Sequence, residues 1–211
     1  MSVIDTLKTM VIEGNLDEIR GATEEAVRAG TDPQQIVDGL IAGMDVVGDG
    51  FASGEVFIPD MMLSAKTMEE SLDAIRPLMV GRAVKPKGRV VFGTVQGDVH
   101  DIGKNLVIMM MQGAGFEIHD LGTDVPPETF YAKVSELKPD LCCMSALLNT
   151  TLEAMARTIN LLKEKGVRSS VKILVGGAVL TESFASGIGA DGYAPDARSG
   201  VLKAKALLGL D

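Results

Sequence analysis

At 211 residues and 22.2 kDa the chain is long enough for one large domain or two modest ones. Apolar residues make up 46% and aromatics only 4%, with 24 glycines, so the core must be built from Val, Ile, Leu, Met and Ala. That composition suits buried parallel strands and helical packing rather than a Trp-rich sandwich. A formal net charge of −9 with no Lys/Arg block argues against nucleic acid as a partner, because that affinity comes from neutralising phosphates.

No run is apolar for long enough to span a membrane, and Asp5, Lys8 and Glu13 interrupt any signal-like stretch at the start. The only two cysteines, Cys142 and Cys143, are neighbours inside an apolar run. They read as buried thiols in a reducing, cytoplasmic setting.

Residues 1–80 show only helical periodicity. Ser2 caps a first helix with Ile4, Leu7, Met10 and Val11 on one face, ending at Gly14. A second carries Leu16, Ile19, Ala22, Ala26 and Val27 and stops before Gly30. Asp32–Pro33 starts a third, with Ile36, Leu40, Met44 and Val47 following, and the stretch Gly48 to Gly54 breaks it. A fourth runs from about Pro59 with Met62, Ala65, Met68, Leu72 and Ile75 inward. Four helices with short loops predict a small bundle.

The basic, Gly-bounded and Pro-containing segment 81–88 reads as a linker and a hinge. From residue 89 to 211, strands and helices alternate. Strands are predicted at Arg89–Val95, Phe116–Leu121, Leu141–Ser145, Val171–Val175 and near Asp191–Ala194. Helices are predicted at about 103–113, 127–137, 151–165, 181–187 and 197–208. Five βα units in a row predict a doubly wound, flavodoxin-like parallel sheet, so the fold class is α/β with an N-terminal helical bundle.

In the strand order 2-1-3-4-5, ligands sit beyond the carboxyl ends of the strands where the order reverses, between strands 1 and 3. Strand 1 is followed there by Gly97-Asp-Val-His-Asp-Ile-Gly103 and strand 3 by Ser145-Ala-Leu-Leu-Asn-Thr-Thr151. Strand 4 leads to Gly176-Gly-Ala178 and strand 5 to Tyr193-Ala-Pro-Asp196. His100 lies in a loop between glycines, not on an apolar helix face. Asp98, two residues earlier, is close enough to hold the imidazole nitrogen that does not face a ligand. An Asp–His pair also suits a general base, but no nucleophile or second metal ligand accompanies it. One imidazole cannot hold a free ion, yet it can supply the single axial position to a metal already held in a macrocycle.

Asp98-x-His100-x-x-Gly103, followed by Ser145-x-Leu147 and Gly176-Gly177, resembles the cobalamin-binding motif of methionine synthase and corrinoid methyl carriers. Gly48-Asp-Gly-Phe51, Gly54 and Phe57-Ile-Pro59 are similar to that family's cap domain. The size resembles the corrinoid subunits of methanol, methylamine and O-demethylating methyltransferase systems. The resemblance implies a cobalamin or related corrinoid as cofactor, with His100 as lower ligand to its cobalt and Asp98 tuning that histidine. It implies that Gly97, Asp101, Ile102 and Gly103 line the loop the cofactor's nucleotide tail passes, and that Ser145, Leu147 and Asn149 contact it. Gly176 and Gly177 would let the tail run against bare backbone, with Tyr193 and Ala194 beside them. Thr151 stands where methionine synthases have a serine extending the Asp–His relay. Phe51, Ile58 and Met61 would shield the methyl face.

The implied function is that of a methyl carrier. Cob(I)alamin accepts a methyl group from a substrate:corrinoid methyltransferase and passes it to a second methyltransferase with tetrahydrofolate or coenzyme M as acceptor. A reductive activase would serve as a further partner. The alternative is a cobalamin-binding sensor or regulatory module, though the chain lacks the Trp and the basic helix that such sensors carry. A flavodoxin would need a hydroxyl-rich loop after strand 1, and a phosphoacceptor domain would need Asp where Ser145 stands. His119, Met109–Met111 and the acidic residues after Met68 read as structural or solvated features.

Overall fold

The computed structural model describes residues 2–75 and 86–210. It divides into two compact units, Met1–Lys85 with Gly113–Gly115, and Pro86–Gln112 with Phe116–Asp211. The linker expected at 81–88 lies outside the described residues except for its last three positions.

Among the described residues the first unit has four helices: α1 (Val3–Glu13), α2 (Leu16–Arg28), α3 (Pro33–Ser53) and α4 (Ile58–Ile75). Ser2 caps α1 through a reciprocal capping box with Asp5, and Gly14 closes it in the left-handed region at φ 68°. Asp32 accepts from the Gln34 N–H at the start of α3, with Pro33 at its first position. The break expected at Gly48–Gly54 is not there: α3 continues through Gly48 and Gly50 to Ser53 and stops at Gly54, φ 81°. Gly48 and Gly50, two of the four interior glycines of this helix, cost it about 1 kcal/mol each. The buried face that leads up to them, with Leu40, Met44 and Val47 inside, outweighs that cost. Glycine also sets how closely α1 and α3 approach, since a Cβ on Gly43 would stand 3.0 Å from the Lys8 carbonyl oxygen.

The second unit alternates β1 (Arg89–Thr94), α5 (Ile102–Gly113), β2 (Glu117–Asp120), α6 (Pro127–Leu137), β3 (Leu141–Ser145), α7 (Leu152–Glu164), β4 (Lys172–Gly176), α8 (Glu182–Ile188), β5 (Gly192–Ala194) and α9 (Ala197–Leu207). All pairings are parallel and the order is β2-β1-β3-β4-β5, as expected. The strands are near-continuous apolar runs because helices cover both faces. Val91, Cys142, Met144, Ile173 and Val175 share one core with Phe130 and Val134 of α6 and Met155, Ile159 and Leu162 of α7. On the opposite face α9 lies close to α5, Gly200 being within reach of the Val107 side chain. Both cysteines are free and buried, and burial pushes the Cys142 thiol up to about 12 and the Cys143 thiol up as well, so neither is a nucleophile.

No helix among the described residues is long and apolar enough to cross a membrane.

Candidate functional site

Register puts the site where β1 and β3 end together. Thr94 pairs with Ser145, and Ser145 with Gly176, so the loops after β1, β3 and β4 leave the sheet at one level. After β1 the chain turns at Gly97, φ 84°, a conformation that favours glycine. Asp98 follows and points back into the protein, fully buried. His100 points outward, its side chain 46% exposed.

Asp98 is the hub. Its Oδ1 accepts from the His100 ring at Nδ1, 2.7 Å, and from the His100 backbone N–H at 3.1 Å. Its Oδ2 accepts from the N–H groups of Leu147, 2.8 Å, and Leu148, 3.2 Å, and from the Thr151 hydroxyl, 2.9 Å. Burial by itself would raise this carboxyl. The donors from Leu147, His100 and Thr151 outweigh burial and hold it well below the usual carboxylate range. An ionised Asp98 can only accept, so the proton of a neutral imidazole sits on Nδ1 and the lone pair is on Nε2. Nε2 has no hydrogen-bond partner among the described residues.

The donors opposite Asp98 exist because β3 does not run straight into α7. The N–H groups of Leu147 and Leu148 in the connecting loop turn inward, and a short 3₁₀ turn, Asn149–Thr151, follows them and brings the Thr151 hydroxyl to the same carboxylate. Thr151 therefore does reach Asp98. Its single hydroxyl proton also faces the Leu148 carbonyl oxygen at 2.8 Å, so the two acceptors share it.

The rim around His100 is apolar. Val99 is 71% exposed and Ile102 78%, and Leu147 and Leu148 are also exposed. Large apolar side chains in water are a cost that a ligand with an apolar face would remove. Gly103 lies in the first turn of α5, and a Cβ there would meet nothing within 4 Å, so one flank of the loop is open. An exposed imidazole nitrogen, an apolar rim and an open flank fit a corrin with an attached tail.

Other expected site residues have different surroundings. Gly176 and Gly177 are needed by the sheet itself. A Cβ on Gly177, φ 136°, would run into the Ala146 carbonyl oxygen, and one on Gly176 would stand 3.0 Å from that of Ala194. The Tyr193 hydroxyl is already committed, donating to the Leu180 carbonyl oxygen at 3.0 Å. Ser145 is half-buried at the end of β3, Asn149 and Asp101 are exposed, and Ala194 is buried. Phe51, Ile58 and Met61 belong to the helical unit: Ile58 is exposed, Phe51 half-buried and Met61 fully buried.

Sequence reasoning missed Asp124. It takes φ 53° in the turn between β2 and α6, accepts from the Gly97 N–H at 2.7 Å, and donates its own N–H to the Asp98 carbonyl oxygen at 2.8 Å. An Asp two residues before Pro126 is a turn signal, but nothing in the sequence says which loop it will tie. The Leu148 N–H had no signal at all, since every residue except proline carries one.

Two family models match the chain, each described as a B12 binding domain, over residues 3–76 and 88–202. Dimethylamine corrinoid protein 1 of Methanosarcina acetivorans is 44% identical over 208 residues, covering 98% of this chain and 97% of its own. A corrinoid protein of Desulfitobacterium hafniense is 41% identical over 213 residues, covering 99% of both. Among solved structures, the methanol:cobalamin methyltransferase complex MtaBC of Methanosarcina barkeri matches with a TM-score of 0.89 and 32% identity, over 98% of this chain and 80% of that one. A cobalamin-binding protein of Desulfitobacterium hafniense matches with a TM-score of 0.78 and 31% identity, over 97% and 98%. The expected cofactor, cobalamin or a related corrinoid, agrees with these matches and with the fit of the His100 rim. The chain belongs to the B12-binding corrinoid proteins.

Proposed function

We propose that the protein is a methyl carrier whose His100 would hold the cobalt of a corrinoid through its ring nitrogen Nε2. When bound, the corrinoid supplies a metal centre that takes up a methyl group and gives it back. The chain's own part is to bind it and to govern the axial nitrogen. Asp98 Oδ1 accepts from the Nδ1–H group, 2.7 Å from Nδ1, which leaves the Nε2 lone pair facing out. A carboxylate behind a ligand histidine makes that nitrogen more basic. Val99, Ile102, Leu147 and Leu148 offer apolar surface beside it, and the open flank at Gly103 gives a tail room to enter the protein.

The carrier role is supported by relatives named for dimethylamine and trimethylamine, and by likeness to a methanol:cobalamin methyltransferase complex. In this reading the partners are a substrate:corrinoid methyltransferase, a second methyltransferase acting on tetrahydrofolate or coenzyme M, and a reductive activase. The observation that carries the proposal is the free, exposed Nε2 of an imidazole locked from behind by a buried carboxylate. Loading His100→Ala with hydroxocobalamin tests it. The visible spectrum should lose its histidine-bound form, and methyl transfer should slow at least about tenfold. A spectrum and rate equal to wild type would overturn it.

A further inference from the structure

Lys104 is the buried cation among the described residues of the sheet unit, and the site as described makes no use of it. It sits in the first turn of α5, four residues after His100, with its side chain 2% exposed. That is a poor place for a lysine on helix grounds, since the amino end of a helix already carries partial positive charge. Its ammonium is nonetheless fully satisfied. Nζ donates to both carboxylate oxygens of Asp120 at 2.7 Å and to Asn105 Oδ1 at 2.7 Å. The ammonium is buried but Asp120 is 42% exposed, and ion pairs of this half-buried kind seldom add much net stability over an apolar side chain of similar volume, which leaves a role in holding the loop to account for the lysine.

Two hydrogen-bond paths lead from this ammonium to the residues flanking His100. On one side Asn105 Nδ2 donates to Asp101 Oδ2 at 3.2 Å, and Asp101 directly follows the histidine. On the other, Asp120 Oδ1 accepts from the Gly122 N–H at 2.9 Å. The Gly122 carbonyl oxygen in turn accepts from the Thr94 N–H at 2.9 Å, and the Thr94 hydroxyl donates to the His100 carbonyl oxygen at 2.9 Å. Asp98 ties the same loop to β3 through Leu147, Leu148 and Thr151. The loop is thus anchored towards β3 by a buried carboxylate and towards β2 by a buried ammonium.

We infer that Lys104, with Asp120, is a positioning residue that holds the loop from Gly97 to Asp101 so that His100 is presented before any cofactor arrives. It touches neither the cofactor nor the reacting atoms. The inference rests on His100 being the axial ligand, and it extends that reading to the β2 side of the loop.

Lys104→Met and Asp120→Asn test it, with two measurements. The chain has only two histidines, so the ring signals of the cofactor-free protein are readily assigned by NMR. Both variants should exchange the His100 Nδ1 proton about tenfold faster than wild type and bind hydroxocobalamin about tenfold more weakly. The thermal midpoint of Lys104→Met should stay near wild type, because Met fills the buried volume and Asp120, 42% exposed, can be solvated, whereas Asp120→Asn leaves a buried ammonium without its counter-charge and should lower the midpoint. The double variant should be no worse than either single one, as expected of two partners in one contact. If Asp120→Asn fails to fold, Lys104→Met decides alone. Wild-type exchange at His100 in the folded variants overturns the inference. Faster exchange in both variants, together with a His100→Ala protein that still binds hydroxocobalamin with wild-type affinity and spectrum, would show that the pair positions the loop but would remove the ligand reading of His100, and with it the purpose inferred for that positioning.

Discussion

Asp98 accepts five hydrogen bonds with no exposed surface, and two of them come from the same histidine. Asn in its place keeps the shape but turns one acceptor oxygen into a donor. The amide would then face either the Nδ1 proton or the N–H groups of Leu147 and Leu148. Either way a buried donor loses its acceptor, and Asp98→Asn should cost about 3 kcal/mol, measured as a urea midpoint at neutral pH. A loss below about 0.5 kcal/mol would mean that the carboxylate is not the hub the distances describe. The Asp98–His100 pair was legible in the sequence because a two-residue separation inside a tight loop leaves the side chains little room to part. Thr151 was legible only through resemblance, because it lies 53 positions away and only the pairing of β1 with β3 brings it to Asp98.

At the scale of elements, the glycines at the sheet edge divide into two kinds. Gly177 is held at φ 136° against the Ala146 carbonyl oxygen, where no Cβ fits, whereas Gly103 faces open space. Gly177→Ala should therefore destabilise the fold by more than about 2 kcal/mol. Gly103→Ala should leave stability unchanged or raise it by about 1 kcal/mol, since alanine favours the helix, while weakening hydroxocobalamin binding by intruding on the open flank. Thermal unfolding and binding titration of the two variants together check this, and the reverse pattern would assign the open flank to something other than the ligand. Both glycines were selected from the sequence for one purpose, passage of a tail. Their different reasons emerged from the neighbouring backbone, which a linear sequence does not place. The third helix shows the same limit. Its glycines looked like a break, but a helix with a long buried face tolerates interior glycine that an exposed one would not.

For the whole molecule, the low Asp98 carboxyl links folding to pH. Its folded value lies below the unfolded value of about 3.9, so its contribution is complete above roughly pH 5 and is lost as the pH falls through 4 and below. Glu117 acts in the same direction, its carboxylate held low by the Arg89 guanidinium and by His119. Urea midpoints measured from pH 7 to pH 3 should fall steeply below pH 4, and Asp98→Asn should flatten that fall. Equal slopes in the two proteins would show that Asp98 is not the linked group.

Element types and their order were determined by the chain alone, because hydrophobic period and βα alternation are local properties that the sheet only has to accept, and the strand order 2-1-3-4-5 followed from the flavodoxin-like fold class that those elements predict. The identities of Asp98 and His100 were local too, carried by one seven-residue loop. Tertiary structure decided which donors close on Asp98, why Gly177 must be glycine, and that Lys104 and Asp120 meet across sixteen residues. Those facts depend on strand register and loop path, in which residues distant in sequence come within 3 Å. That proximity is set by the packing of the whole sheet and by no segment of it.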